Sequence, residues 1–356
     1  MNWPDRRVLD LFGIEAPIIQ APMANFSTPA MAIAVAEAGG LGSLACASLT
    51  AEQMRADLIA IRAQTARPLN VNFFCHQPTP PDEIREAAWR KKLAPYYDAF
   101  GIARDTQVPS VARQPFDGAA CDIVEELNPA VVSFHFGLPS APLLARVRAT
   151  GAKIISSATT VAEARWLEER GCDAVIAMGA EAGGHRGSFL ATEMTQQVGT
   201  FALVPQVVDA VHVPVIAAGG IADARGIVAA LALGASAVQI GTAYMYSPEA
   251  KVSAPHRAAL SAVTDDGTAM TNLFTGRPAR GIVNRLMREM GPMSDAPPAF
   301  PRAGGALAPL KLQAEANGSG DFSTLWAGQA ARLSKALPAR KLTLLLAKEA
   351  LAQIAH

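Results

Sequence analysis

One pattern constrains this chain more than any other. A short β-branched run, a turn and a longer alanine-rich stretch recur along most of its length. The runs fall at Pro17–Ala21, Leu41–Ala45, Leu69–Phe74, Ala130–Phe134, Lys153–Ser157, Asp173–Met178, Val215–Ala218 and Ala237–Ile240. They are near-continuously apolar, as strands buried on both faces of a parallel sheet are. Parallel neighbours need connections long enough for a crossover helix, and the intervening segments supply them. Thr28–Ala38 opens on a capping threonine followed by proline and stops at Gly39–Gly40. Thr50–Ala63 also opens on threonine, and Ala141–Thr150, Val161–Arg170, Phe201–Val211 and Ala222–Leu233 complete the predicted helices. Eight such units predict an α/β protein, a TIM (β/α)8 barrel, with a doubly wound open sheet as the competitor.

The barrel is expected over residues 1–246. A proline- and charge-rich insertion after the third strand (75–115) is expected to place excursion helices over the barrel mouth. Residues 247–356 read as a C-terminal extension that packs on the barrel and covers the substrate site. It holds a loop-like stretch at Gly291–Pro309 and an amphipathic helix at Arg340–Ile354. The 31 basic and 31 acidic side chains cancel, which removes the electrostatic reason to expect nucleic acid or an anionic membrane as partner. No apolar run approaches the ~18 residues of a membrane span, and Met1–Asp10 lacks the apolar core of a signal peptide. Cys46, Cys75, Cys121 and Cys172 form no CxxC pair, and no cluster has metal-ligand spacing, so neither disulfides nor a metal is expected. A cytoplasmic enzyme is the expectation.

Barrels build their sites at the C-terminal ends of the strands. Seven of the eight predicted strands deliver polar or glycine-rich sequence there, including Ala21-Pro22-Met23, Asn72, Ser133-Phe134-His135-Phe136-Gly137, Ser156-Ser157 and Gly179 to Gly187. Gly219-Gly220 and Gly241-Thr242 end the last two. Glycines let an anion approach their N–H groups, and the loops after strands seven and eight are where barrels bind phosphate. The alternative is that these glycines only make tight turns. Gly183 and Gly184 free the backbone to press against a flat ligand, and His185 then presents an imidazole whose ~6.5 pKa suits proton transfer. Glu181 and Arg186 are placed to orient or tune it. His135 divides evenly between a ligand contact and a packed core histidine, while His76, His212 and His256 read as structural or solvated. Asn72 and Gln239 are amides at apolar positions, which suit a ligand with a hydrogen-bonding heterocycle. Met23 offers a thioether to its ring face.

The ordered combination IIQAPM, SFHFG, EAGGHRG, AAGGIAD and QIGTA resembles the nitronate monooxygenase family, FMN-dependent barrels related to some enoyl-ACP reductases. The resemblance covers roughly Ile14 to Thr242 and continues in DFSTLWAGQ from Asp321 to Gln329. It implies that FMN is held by Met23, Asn72, Gly183, Gly220 and the backbone from Gln239 through Ile240 and Gly241 to Thr242, beside Gly184 and Gly219. It also implies that His185 is the catalytic base. Met178 departs from the pattern, because related sequences often carry glutamine there. The implied reaction turns nitronates of the propionate 3-nitronate type, and nitroalkanes, plus O2 into carbonyl compounds and nitrite. An NAD(P)H-dependent flavin reductase of quinones or enoyl thioesters on the same scaffold is the alternative. Monomer and homodimer both stay open.

Overall fold

Strands form where a β-branched run can be buried on both faces. The computed structural model describes residues 3–108, 113–190 and 193–355, so residues 109–112 of the expected insertion and both chain ends lie outside it. In chain order come β1 (Ile18–Gln20), β2 (Gly42–Ala45), β3 (Leu69–Phe74), β4 (Val131–His135), β5 (Lys153–Ala158) and β6 (Ala174–Met178). A two-residue strand outside the barrel, β7 (Gly184–His185), precedes β8 (Val215–Ala218) and β9 (Ala237–Ile240). The barrel strands pair in parallel in the order β1-β9-β8-β6-β5-β4-β3-β2. The ring closes where Ile19 bridges Leu41 and the Leu41 N–H donates to Ile18 O at 2.9 Å. This is the TIM barrel, and each strand lies within one residue of its expected bounds.

Val71, Val132, Ile155, Val175, Ile216 and Val238 are fully excluded from water in the barrel core. Each such side chain contributes about 1.5–3 kcal/mol of transfer free energy, which is why the runs choose this register. Caps set the helix starts. Thr28 Oγ1 accepts from Met31 N–H ahead of helix Pro29–Ala36, and Thr50 and Gln53 form a reciprocal capping box ahead of Ala51–Arg62.

The sequence reading needs correction at the insertion and the extension. Between residues 75 and 115 the described residues form one helix, Glu83–Ala99. A second, Gly118–Leu127, was not anticipated; capped by Asp117, it lies in the crossover to β4. The stretch expected to be loop-like contains the start of helix Ala303–Ala316, with Pro309 inside it. Glycine and proline argue against a helix there, but burial of Leu307, Leu310 and Ala314 against Trp89, Leu93 and Phe322 overrides local propensity. Trp89 Nε1–H donates to Ala303 O at 3.1 Å and Tyr97 O–H to Ala306 O at 2.6 Å, joining insertion to extension.

The last helix, Ala339–Ile354, packs on helices Pro29–Ala36 and Ala224–Ala232. The helical ring therefore ends with this helix and not near Tyr246. The extension also contributes β10 (Thr268–Thr271) and β11 (Ala279–Ile282), which form an antiparallel sheet with β7; Ala279 stands opposite His185. No helix among the described residues is long and apolar enough to cross a membrane.

Candidate active site

The strand ends and the extension enclose a cavity of about 520 Å³, within the usual range for small-molecule and cofactor sites. One end is built from the loops after β8 and β9. Gly219 (φ +109°) and Gly220 (φ +70°) occupy backbone conformations that disfavour side chains, and a Cβ on Gly219 would lie 3.0 Å from Ala182 N. Their N–H groups have no protein acceptor among the described residues. Thr242 Oγ1 accepts from Gly328 N–H at 2.9 Å, which leaves its own O–H to donate. Gly241 lines the same end. Free N–H and O–H donors around a glycine-lined concavity suit a phosphate.

Met23, Asn72, Gly183, Gly184 and Gln239 line the walls, as do Met178, Ile176 and Trp326. Gly184 (φ +72°) faces open space. Gly183 is glycine for an internal reason: a Cβ there would sit 2.5 Å from Gly328 N, so the tail segment packs directly on it. Gln239 Oε1 is buried without a partner. A buried acceptor left unpaired costs about 1–3 kcal/mol, and a heterocycle bearing a ring N–H would satisfy it. Asn72 spends its Nδ2 hydrogens on Ser133 Oγ (2.9 Å) and Ser133 O (3.2 Å). Ile240 is fully buried in the barrel core, its carbonyl taken by Ala21 N–H at 2.8 Å, and the structure does not bring it to the cavity lining. With that exception, the sequence-predicted cofactor residues converge on one cavity. Its donor-rich end, apolar walls and orphaned amide oxygen fit a flavin.

His185 stands on the cavity wall among Phe74, Phe136, Phe300 and Trp326, with ring centroids 5.4–6.2 Å away. Its Nε2 lies 2.9 Å from Thr275 Oγ1, whose hydroxyl donates to Arg277 O at 3.2 Å. With that assignment Nε2 carries the proton and Nδ1, which has no protein partner among the described residues, keeps the lone pair. Burial, then the nearby Arg113 charge, holds the imidazole well below its ordinary pKa. Burial thus favours the neutral form of the ring.

His135 also lines the cavity, but both its nitrogens are committed. Nε2 lies 3.2 Å from His185 O and Nδ1 2.7 Å from Ser157 Oγ, so the ring holds the backbone that carries His185. The side chains of Glu181 and Arg186 make no hydrogen bond to the His185 ring. Glu181 accepts from Thr200 N–H and O–H, anchoring the start of helix Thr200–Val208. Arg186 is fully buried and donates to Met178 O, Gly179 O and Gln197 Oε1. Sequence reasoning missed Thr275, Trp326 as a cavity wall, and Arg113. Each gets its place from a segment far along the chain from His185; Trp326 lies in the DFSTLWAGQ run, but nothing local sets it on the cavity wall. His256, also on the cavity wall, is buried with Nε2 3.1 Å from Trp326 O. His212 is exposed.

Burial pushes His135 down to about 3 and His256 to about 4, and lowers His76 as well. The unfolded chain binds protons near pH ~6.5 that the folded form refuses, so stability falls as pH drops below that value. At pH 5, His135 and His256 should each cost about 2 kcal/mol. Urea midpoints should therefore fall markedly between pH 7 and 5; an unchanged midpoint would contradict the buried neutral assignment.

The nitronate monooxygenase family model matches residues 5–349. A nitronate monooxygenase of Pseudomonas aeruginosa is 43% identical over 345 residues, covering 96% of this chain and 98% of that protein. One of Paraburkholderia phytofirmans is 42% identical, covering 97% and 94%. Among solved structures, nitroalkane oxidase from Streptomyces ansochromogenes superposes with a TM-score of 0.89 at 39% identity, covering 98% of this chain and 99% of that one. FabK from Thermotoga maritima follows at 0.71 and 27%, covering 99% and 98%. A barrel with this cavity at its strand ends, matched by the family model over residues 5–349 and by relatives this similar over nearly their whole length, belongs to the nitronate monooxygenase family, a family of flavin-dependent oxidoreductases.

Proposed function

We propose that this chain binds FMN and oxidises alkyl nitronates of the propionate 3-nitronate type, and neutral nitroalkanes, with O2 to carbonyl compounds and nitrite. The observation that carries this reading is the buried His185 ring, held towards its neutral form on an aromatic wall of the same cavity as the glycine-lined, donor-rich end. A single cradle supports a mononucleotide. Gly219, Gly220, Gly241 and Thr242 would hold its phosphate, Met23, Gly183 and Gly184 its ring system, and Gln239 and Asn72 its polar edge. When bound, the flavin supplies the one-electron redox chemistry.

The chain's own residues do the rest. His185 Nδ1 takes the proton from the carbon beside a nitro group, while Thr275 fixes the ring through Nε2. The positive field of Arg113 and Arg277, which disfavours an imidazolium, favours the nitronate anion. The four aromatic rings around His185 exclude water and strengthen both effects. Four buried free cysteines support a reducing, cytoplasmic setting.

Mixing the yellow protein with ethyl nitronate or propionate 3-nitronate should consume O2 and release nitrite; oxygen uptake without nitrite would remove this reading. The likeness to FabK keeps a flavin reductase as the second reading. Rapid anaerobic bleaching of the flavin by NADH or NADPH would favour it.

A further inference from the structure

Arg113 enters the cavity from the connection after β3, on the same lining as Phe74, His135 and His185. Its backbone is pinned there: Arg113 O lies 3.0 Å from His76 Nε2, and three residues on, Phe116 N–H donates to Phe74 O at 2.7 Å. The guanidinium is half-buried, yet it has no hydrogen-bonding or carboxylate partner among the described residues. The undescribed neighbours Pro109 to Ala112 contain no acidic side chain either.

Lys251, also on the cavity lining, is exposed to water, and the other cations in this part of the molecule are occupied. Arg277 donates to Ser188 O and lies 3.8 Å over the Phe136 ring, with the Glu163 carboxylate in its field. Arg280 donates to Ala180 O at 2.9 Å, and Lys311 faces Glu315 at 3.9 Å. Withdrawing a guanidinium from water costs free energy unless an anion meets it, and its planar fork matches a carboxylate in bidentate geometry. Burial lowers the Arg113 pKa with no acidic neighbour to oppose it.

We propose that Arg113 is a specificity-determining residue that receives a second anionic group on the substrate, so that the site prefers nitronates bearing a carboxylate to simple alkyl nitronates. This rests on the nitronate oxidation proposed above. The nitronate carbon is placed by His185, while the carboxylate at the far end of a short chain reaches the guanidinium.

The test compares kcat/KM of the FMN-loaded enzyme for propionate 3-nitronate and for propyl-1-nitronate. In Arg113→Met the ratio of the two should fall about 10- to 100-fold, the range of a lost charge-assisted hydrogen bond, through KM more than kcat. Arg113→Lys should recover part of it. If Arg113→Met does not fold, Arg113→Gln gives the same comparison. An unchanged ratio, whether both substrates lose equally or neither loses, overturns the role of Arg113 while leaving nitronate oxidation intact. A wild-type enzyme that releases no nitrite from either substrate overturns both.

Discussion

Replacing His185 by asparagine should cost neutral nitroalkanes about 10²- to 10⁴-fold in kcat/KM, the span general-base catalysis supplies. Nitronates, already deprotonated at carbon, should lose less than about tenfold by the same reasoning. Flavin content should be unchanged, because the anion cradle is formed by the loops after β8 and β9 and not by β7. The asymmetry follows from protonation. Burial and the cations around His185 keep the ring neutral, so its lone pair is available well below the ordinary imidazole range. The acid limb of the nitroalkane profile should accordingly lie below pH ~6.5. Steady-state oxygen uptake on both substrate forms checks this, and equal losses on nitroalkane and nitronate would remove the base role.

Gly220→Asp should yield a colourless protein. The position has φ +70°, which aspartate tolerates better than most residues, and a Cβ there would meet the Glu181 side chain at 3.4–3.9 Å, ordinary contact distances. Strain is therefore small and charge is the main effect. A carboxylate about 4 Å from a phosphate charge costs about 4 kcal/mol at an effective dielectric of 20, close to a 10³-fold loss of affinity. Gly220→Asn, with the same shape and no charge, separates the two causes and should keep far more flavin. Absorbance at the flavin band per protein chain reads both variants, and full flavin in the aspartate form would mean the phosphate lies elsewhere.

The barrel was legible because its strands are largely apolar runs and most are flanked by a helix cap, a glycine or a proline, all of them local signals. The residues of the proposed cradle were legible for a related reason: Gly219, Gly220, Gly241 and Thr242 lie where two consecutive barrel strands end. The Ile240 side chain lies in the core and not on the cavity because side chains alternate along a strand, which a motif read as a block ignores. Helix Ala303–Ala316 was hidden by Gly304, Gly305 and Pro309, and only packing against Trp89 and Phe322 explains it. The surroundings of His185 were least legible. Thr275 reaches it across 90 residues, and Arg113 comes from a segment with no periodicity. His135 could not be resolved from its sequence because its role depends on a backbone oxygen 50 positions away.

A crystal structure of the purified yellow protein tests the central claim most directly. The flavin phosphate should lie within hydrogen-bond reach of the Gly219 and Gly220 N–H groups and the Thr242 hydroxyl, with the ring edge open to His185 Nδ1. Flavin density outside this cavity, or a ring turned so that His185 and the cradle contact different molecules, would contradict it.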